Sequence, residues 1–188
     1  MPKLKKNTPA DISAVLSDNV VVRKIRNQTV FSKVTVPKKS KSLKKKKAND
    51  RFKDANKWAK NKLKQPGMKE LYSKGINSTL SNAHTVAVKD WMVAPKIHYI
   101  GLKTHTGAVG DTIRIKVTDD FQVTNVIVTI NDSKGTKLET GPAIQYKRKP
   151  MMWIYTLTIA NPDIKGTSIK VTASDRPGNE VEQEVKIE

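Results

Sequence analysis

Cysteine is absent from this 188-residue chain. That removes disulfides, thiolate nucleophiles and cysteine-ligated zinc together, and it leaves the redox compartment open. Aromatic residues are scarce, at 5%, and no stretch approaches the ~18 uninterrupted apolar residues of a membrane helix. Met1 to Lys6 is lysine-rich, but Pro9 and Asp11 stand where a signal peptide needs an apolar run. The sequence therefore predicts a protein that is not Sec-secreted, placed in the cytoplasm or in a virion, with no membrane insertion. Hydrophobic residues reach only 37%, enough for one compact core beside polar material.

Acidic charge is the other scarcity. Against 36 Lys and Arg stand 17 Asp and Glu, a formal charge of +19. The excess is not evenly spread: residues 1–94 hold 23 basic and 6 acidic side chains, a net +17, whereas residues 95–188 hold 13 and 11, a net +2. Such asymmetry predicts a polyanion-facing arm joined to a near-neutral folded module. The residue before a proline avoids helical geometry, so Ala94-Pro95 marks the expected boundary.

Beyond it, alternation of period two predicts strands. Ile113, Ile115 and Val117 alternate with Thr112, Arg114 and Lys116; Val126, Val128 and Ile130 repeat the pattern; Trp153, Tyr155, Leu157 and Ile159 form a third one-sided face. Ile169, Val171 and Ala173 lead through Asp175-Arg176-Pro177-Gly178-Asn179 to Val181, Val185 and Ile187. With Lys96 to Ile100 and a weaker segment near Lys137, about seven strands fit, the rhythm of an antiparallel sandwich.

Two runs carry a resemblance: Gly110-Asp111-Thr112-Ile113-Arg114-Ile115 with Thr118-Asp119-Asp120, and Val171-Thr172-Ala173-Ser174-Asp175-Arg176-Pro177-Gly178-Asn179. They are similar to bacterial Ig-like domains over residues 96–188. There is no cysteine pair, no Trp on the third strand and no tyrosine corner, so the antibody type is excluded. In the first half, Val22 to Ser32 resembles a hairpin of short uncharacterised proteins of Bacteroidetes and their phages, a likeness that implies no activity.

The first half is expected to hold a basic arm (1–47), with a possible β-hairpin over 20–36, and a small helical region (48–94). Lys38, Lys39, Lys41, Lys44, Lys45, Lys46 and Lys47 crowd into eleven residues, and self-repulsion predicts an extended run. Helical spacing of Phe52, Ala55, Ala59 and Leu63 predicts a helix from about Asp50 to Lys64, stopped by Gln65-Pro66-Gly67, with Phe52 in its core. A short helix near Met68 to Ser73 and a third from about Ser78 to Val93 follow. The fold class expected is α+β multidomain: basic hairpin, small helical region, then an Ig-like antiparallel β-sandwich, residues 95–188.

The strongest candidate chemistry is phosphate or acidic-surface binding by Arg23, Lys24, Arg26, the lysines from Lys38 to Lys47, and Lys53, Lys57 and Lys60. Lysine suits backbone attraction without sequence readout, so the partner is nucleic acid or an acidic protein lattice. In an Ig-like topology Asp119, Asp120 and Asp175 gather at one end. They would be an interdomain dock for lysines, a weak cation site, or plain turn formers. His84, His98 and His105 fit no compact metal spacing. No nucleophile elbow or phosphate-cradling glycine loop is present, so neither enzyme activity nor a cofactor or metal is expected. The reading that unites these features is a non-enzymatic structural component of a multi-subunit, phage-like particle. The alternative is an intracellular, sequence-nonspecific nucleic-acid-binding protein.

Overall fold

The structure is a computed structural model that describes residues 20–25, 28–33, 42–103 and 105–188. The chain divides into two units, residues 1–45 and 46–188. In the first, β1 (Val20–Ile25) pairs antiparallel with β2 (Gln28–Lys33), and Phe31 is exposed. Arg26, Lys38, Lys39 and Lys41 lie outside the described residues.

Helix α1 spans Leu43–Lys62, α2 spans Met68–Ser73 and α3 spans Ala83–Met92. The expectation of an extended lysine run fails here, because Lys44 to Lys47 form the first turns of α1. Lysine is a good helix former, and propagating an existing helix is far easier than nucleating one, so the segment at Ala48 to Lys62 extends backwards through them. Helix α3 starts later than spacing predicts. Asn77 accepts hydrogen bonds from the backbone N–H groups of Thr79 and Leu80, and Asn82 forms a reciprocal cap with Thr85 that sets the first helical residue.

The helices share a small core of Ala55, Ala59, Tyr72, Val86, Ala87 and Val88, flanked by Trp58, Leu63, Trp91 and Phe121. The alanines let the helix backbones approach, and Tyr72 fills the centre, edge-on to Trp58 at 6.4 Å and stacked on Phe121 at 4.6 Å between ring centroids. Phe121 belongs to the sandwich loop over residues 119–122, so this core is completed by the other layer. Phe52 is not part of it: every described residue from Ser42 to Asp54 is exposed, and Phe52 is 54% exposed. The buried stripe of α1 begins only at Ala55. Gly75 is where the chain leaves α2; a Cβ there would lie 2.7 Å from Val86 Cγ1 and 3.0 Å from Phe121 Cδ2.

Eight strands form two four-stranded antiparallel sheets. One has the order β3 (Lys96–Gly101), β4 (Thr112–Thr118), β8 (Met152–Thr156), β7 (Ile144–Gln145). The other has the order β10 (Glu180–Lys186), β9 (Ser168–Asp175), β5 (Val123–Asn131), β6 (Lys137–Pro142). Their inner faces meet in one core, Ile113, Ile115, Val117 and Trp153 from the first against Val126, Val128, Ile169 and Val171 from the second. Full burial of each such aliphatic side chain contributes about 1.5–3 kcal/mol. The one-sided face expected to reach Ile159 ends earlier. Strand β8 stops at Thr156, Leu157 is still buried, and Ile159 is 47% exposed.

Candidate binding surfaces and the acidic corner

Helix α1 is about 30 Å long at 1.5 Å per residue. It carries eight lysines against two aspartates, Asp50 and Asp54, with no acid in its first turn. Lys44, Lys45, Lys46, Lys47, Lys53, Lys57 and Lys60 are all exposed. Lys53, Lys57 and Lys60 follow helical spacing along one ridge and, with Phe52 and Asn56, line a shallow groove. Lys53 meets Asp50 at 3.4 Å in an exposed pair, which leaves most of the positive field unopposed. Arg51 points elsewhere: it donates to the Met92 carbonyl at 3.0 Å and sits 5.9 Å from the Trp91 ring, tying α1 to α3. Of Arg23 and Lys24, the strand β1 position is described.

The three aspartates expected at one end play distinct parts. Asp119 Oδ2 accepts from the backbone N–H groups of Phe121 and Gln122, each at 3.0 Å, and so shapes the β4–β5 loop that presents Phe121. Asp175 Oδ1 accepts from Gly178 and Asn179 N–H, and its Oδ2 accepts from Asn179 Nδ2, closing the β9–β10 turn. Asn179 Nδ2 also reaches the carbonyls of Asp90 and Trp91 at 3.3 and 3.2 Å, so this turn holds the C-terminal end of α3. Asp120 Oδ2 lies 3.4 Å from Lys89 Nζ of α3, an ion pair open to solvent. Among the described residues no group of three or more potential ligands could hold a metal ion.

A fourth carboxylate, absent from the sequence-based expectations, sits behind them. Asp90 is fully buried on α3 and accepts a 2.6 Å hydrogen bond from the Tyr72 hydroxyl. Its Oδ1 has no hydrogen-bond partner. Burial pushes the Asp90 carboxyl up to about 7, the Tyr72 bond opposes that, and the charges of Asp119 and Asp175 add to it. Burial likewise pushes the Tyr72 hydroxyl far up, helped by Asp90. Asp175 is raised too, mainly by burial. A polar residue amid Val86, Ala87, Val88 and Trp91 was the only sequence signal for this pair; its partner lies 18 positions away.

The histidines stand apart. His98 Nε2 contacts Thr118 Oγ1 at 2.7 Å. His105 is buried with both ring nitrogens unpartnered, and burial holds its pKa below the usual value against the pull of Asp111 and Glu139. No helix of the described residues is long and apolar enough to cross a membrane.

No family model matches the sequence, and no curated protein matches it significantly. Two solved structures are similar to it over about half of its length. One is CopC from Methylosinus trichosporium OB3b, at 14% identity, covering 48% of this chain and 87% of that one, with a TM-score of 0.36. The other is an engineered protein at 22% identity, covering 49% of this chain and 20% of that one, with a TM-score of 0.35.

Proposed function

We propose that this protein is a non-enzymatic component of a large assembly, such as a phage-like particle, held on a polyanion by helix α1. The single observation behind this reading is the exposed lysine ridge of α1, in whose first three turns every residue is exposed. A helix that exposes seven lysines and buries two alanines gains little from its own packing; neutralisation by phosphates or carboxylates supplies what packing does not. The sandwich serves as the contact module. Its strand orders, first-second-fifth-fourth in one sheet and last-sixth-third in the other, support an Ig-like assignment once the six-residue β6 is set aside as an added edge strand.

The polyanion is identified by salt dependence. Full-length protein titrated with a fluorescent generic duplex should bind at low salt and lose affinity steeply as salt rises. Reversal of Lys53, Lys57 and Lys60 to Glu should lower the log–log salt slope by roughly 3. Binding that survives physiological salt makes packaged nucleic acid the partner, and Phe52 beside the lysines favours that alternative. No duplex binding even at low salt overturns the nucleic-acid reading and directs attention to an acidic protein lattice in co-purifying particles.

A further inference from the structure

We infer that the outer face of the β3-β4-β8-β7 sheet is a platform for single-stranded nucleic acid, independent of the lysine ridge on α1. Register builds it. A β-bulge between Ile97 and Tyr99 places Tyr99 opposite Lys116, whereas simple alternation from the buried Ile97 would turn it inward. Lys116 in turn pairs with Met152, and Tyr146 donates its N–H to the Met152 carbonyl, so a row runs from ring to ring across the sheet. The adjacent row is Gly101, Arg114, Ile154 and Ile144. Tyr99 and Tyr146 are 46% and 40% exposed. With strands about 4.8 Å apart, three spacings set the two tyrosine positions on the order of 14 Å from each other.

The arrangement matches what a single strand presents. The four strands contain no Asp or Glu, and Lys147, Arg148 and Lys149 crowd the β7–β8 connection. The opposite sheet is mixed: Glu180, Glu182 and Glu184 of β10 stand with Lys170, Lys186 and Lys137, and Lys170 meets Glu182 at 2.7 Å, so the basic surplus lies on this side of the sandwich. Arg114 lines two clefts. One, of about 390 Å³, is shared with Tyr146, Lys149, Met152 and Ile154; the smaller is shared with Tyr99, Gly101 and Lys103. Gly101 fixes the Tyr99 ring: a Cβ at Gly101 would lie 2.6 Å from Tyr99 Cε1, so only glycine lets the ring lie there. Cations alone would suit any polyanion. Exposed rings, a guanidinium plane and apolar side chains between them add contacts that only unstacked bases use, as on four-stranded sheets that stack two or three bases. Duplex DNA hides its base faces and leaves those contacts unmade.

The test uses the full chain with Lys44, Lys45, Lys46, Lys47, Lys53, Lys57 and Lys60 changed to Glu, so that α1 no longer attracts polyanions and its role as a polyanion site is read separately with duplex. Oligo(dT), a duplex of equal phosphate number and polyglutamate are compared by fluorescence anisotropy. Oligo(dT) should bind tightest. Tyr146→Leu and Arg114→Gln should each weaken it about tenfold, Tyr146→Phe should retain it, and none should move the thermal midpoint. Equal affinity for polyglutamate and oligo(dT), or an unchanged affinity in Tyr146→Leu, overturns the proposal and makes this face a contact for an acidic protein.

Discussion

Replacing Asp90 with Asn probes a buried carboxyl that is only partly compensated. The carboxyl is fully buried, holds one hydrogen bond from Tyr72 and leaves Oδ1 unpartnered, so ionising it in place is costly. Its pKa is about 7 in the folded state against 3.8 in the unfolded chain. Between those values the folded protein holds a proton that the unfolded chain has released. The stability this group contributes is therefore fully present below pH 3.8, declines as pH rises and is exhausted once pH passes about 7. At about 1.36 kcal/mol per pH unit, the difference amounts to roughly 4 kcal/mol. Asn is uncharged at every pH and its carbonyl still accepts from Tyr72. Urea unfolding followed by fluorescence of Trp58, Trp91 and Trp153 should show the variant close to wild type near pH 4 and more stable than wild type near pH 8. Subtracting the two profiles removes the other titrating groups, including Asp175, which is raised and acts in the same direction, and Asp111, which is lowered by its bonds to the 106–108 loop and acts in the opposite one. A difference profile flat from pH 4 to 8, or one that favours wild type as pH rises, would refute the reasoning.

Phe121→Ala removes the ring stacked on Tyr72 and should cost about 2–4 kcal/mol, with loss of near-ultraviolet dichroism from the helical core before the sandwich unfolds. Asp119→Ala deletes two backbone bonds in the loop that presents Phe121 and should cost about 1–2 kcal/mol in thermal or urea melts. Asp120→Lys breaks only the exposed pair with Lys89 and should cost less than about 1 kcal/mol; the double reversal of Asp119 and Asp120 to Lys should expose the α3–β3 connection to limited proteolysis, and unchanged protection would show that neither acid holds the layers together. Gly75→Ala drives a Cβ toward Val86 and Phe121 and should destabilise by about 1–3 kcal/mol, whereas alanine at the open Gly135 position meets no neighbour and pays only for its positive φ.

The strands were legible because a sheet with one buried face writes its period into the sequence: Ile113, Ile115 and Val117 are all buried, with Arg114 exposed between them. The same rule failed at Ile159, where alternation continues past the last ladder bond and no longer reports a face. The start of α1 was obscured by charge. A lysine run reads as self-repelling chain when considered alone, but its intrinsic propensity is helical, and a helix already begun at Ala48 incorporates it. Phe52 has the spacing of a core residue and is exposed because the buried stripe of α1 begins only at Ala55, a length mismatch that no local pattern encodes.

The surfaces were less legible than the core for a related reason. Asp119 and Asp175 act on backbone groups two to four residues away, so local sequence already places them in turns. Asp90 acts on Tyr72 across two helices, and Tyr99 shares a row with Tyr146 only through three strand pairings and a bulge. Alternation counted from Ile97 would bury Tyr99 and leave the sheet with one exposed ring. His98 occupies the extra position, with its Nε2 against Thr118 Oγ1, and the bulge that absorbs it keeps the tyrosine on the outside. A deletion of His98 should therefore remove the bulge yet leave Tyr99, now directly after the inward Ile97, on the outer face opposite Lys116, with ring-dependent oligo(dT) binding retained; loss of that binding would show that His98 itself, and not the register of Tyr99, sustains the platform.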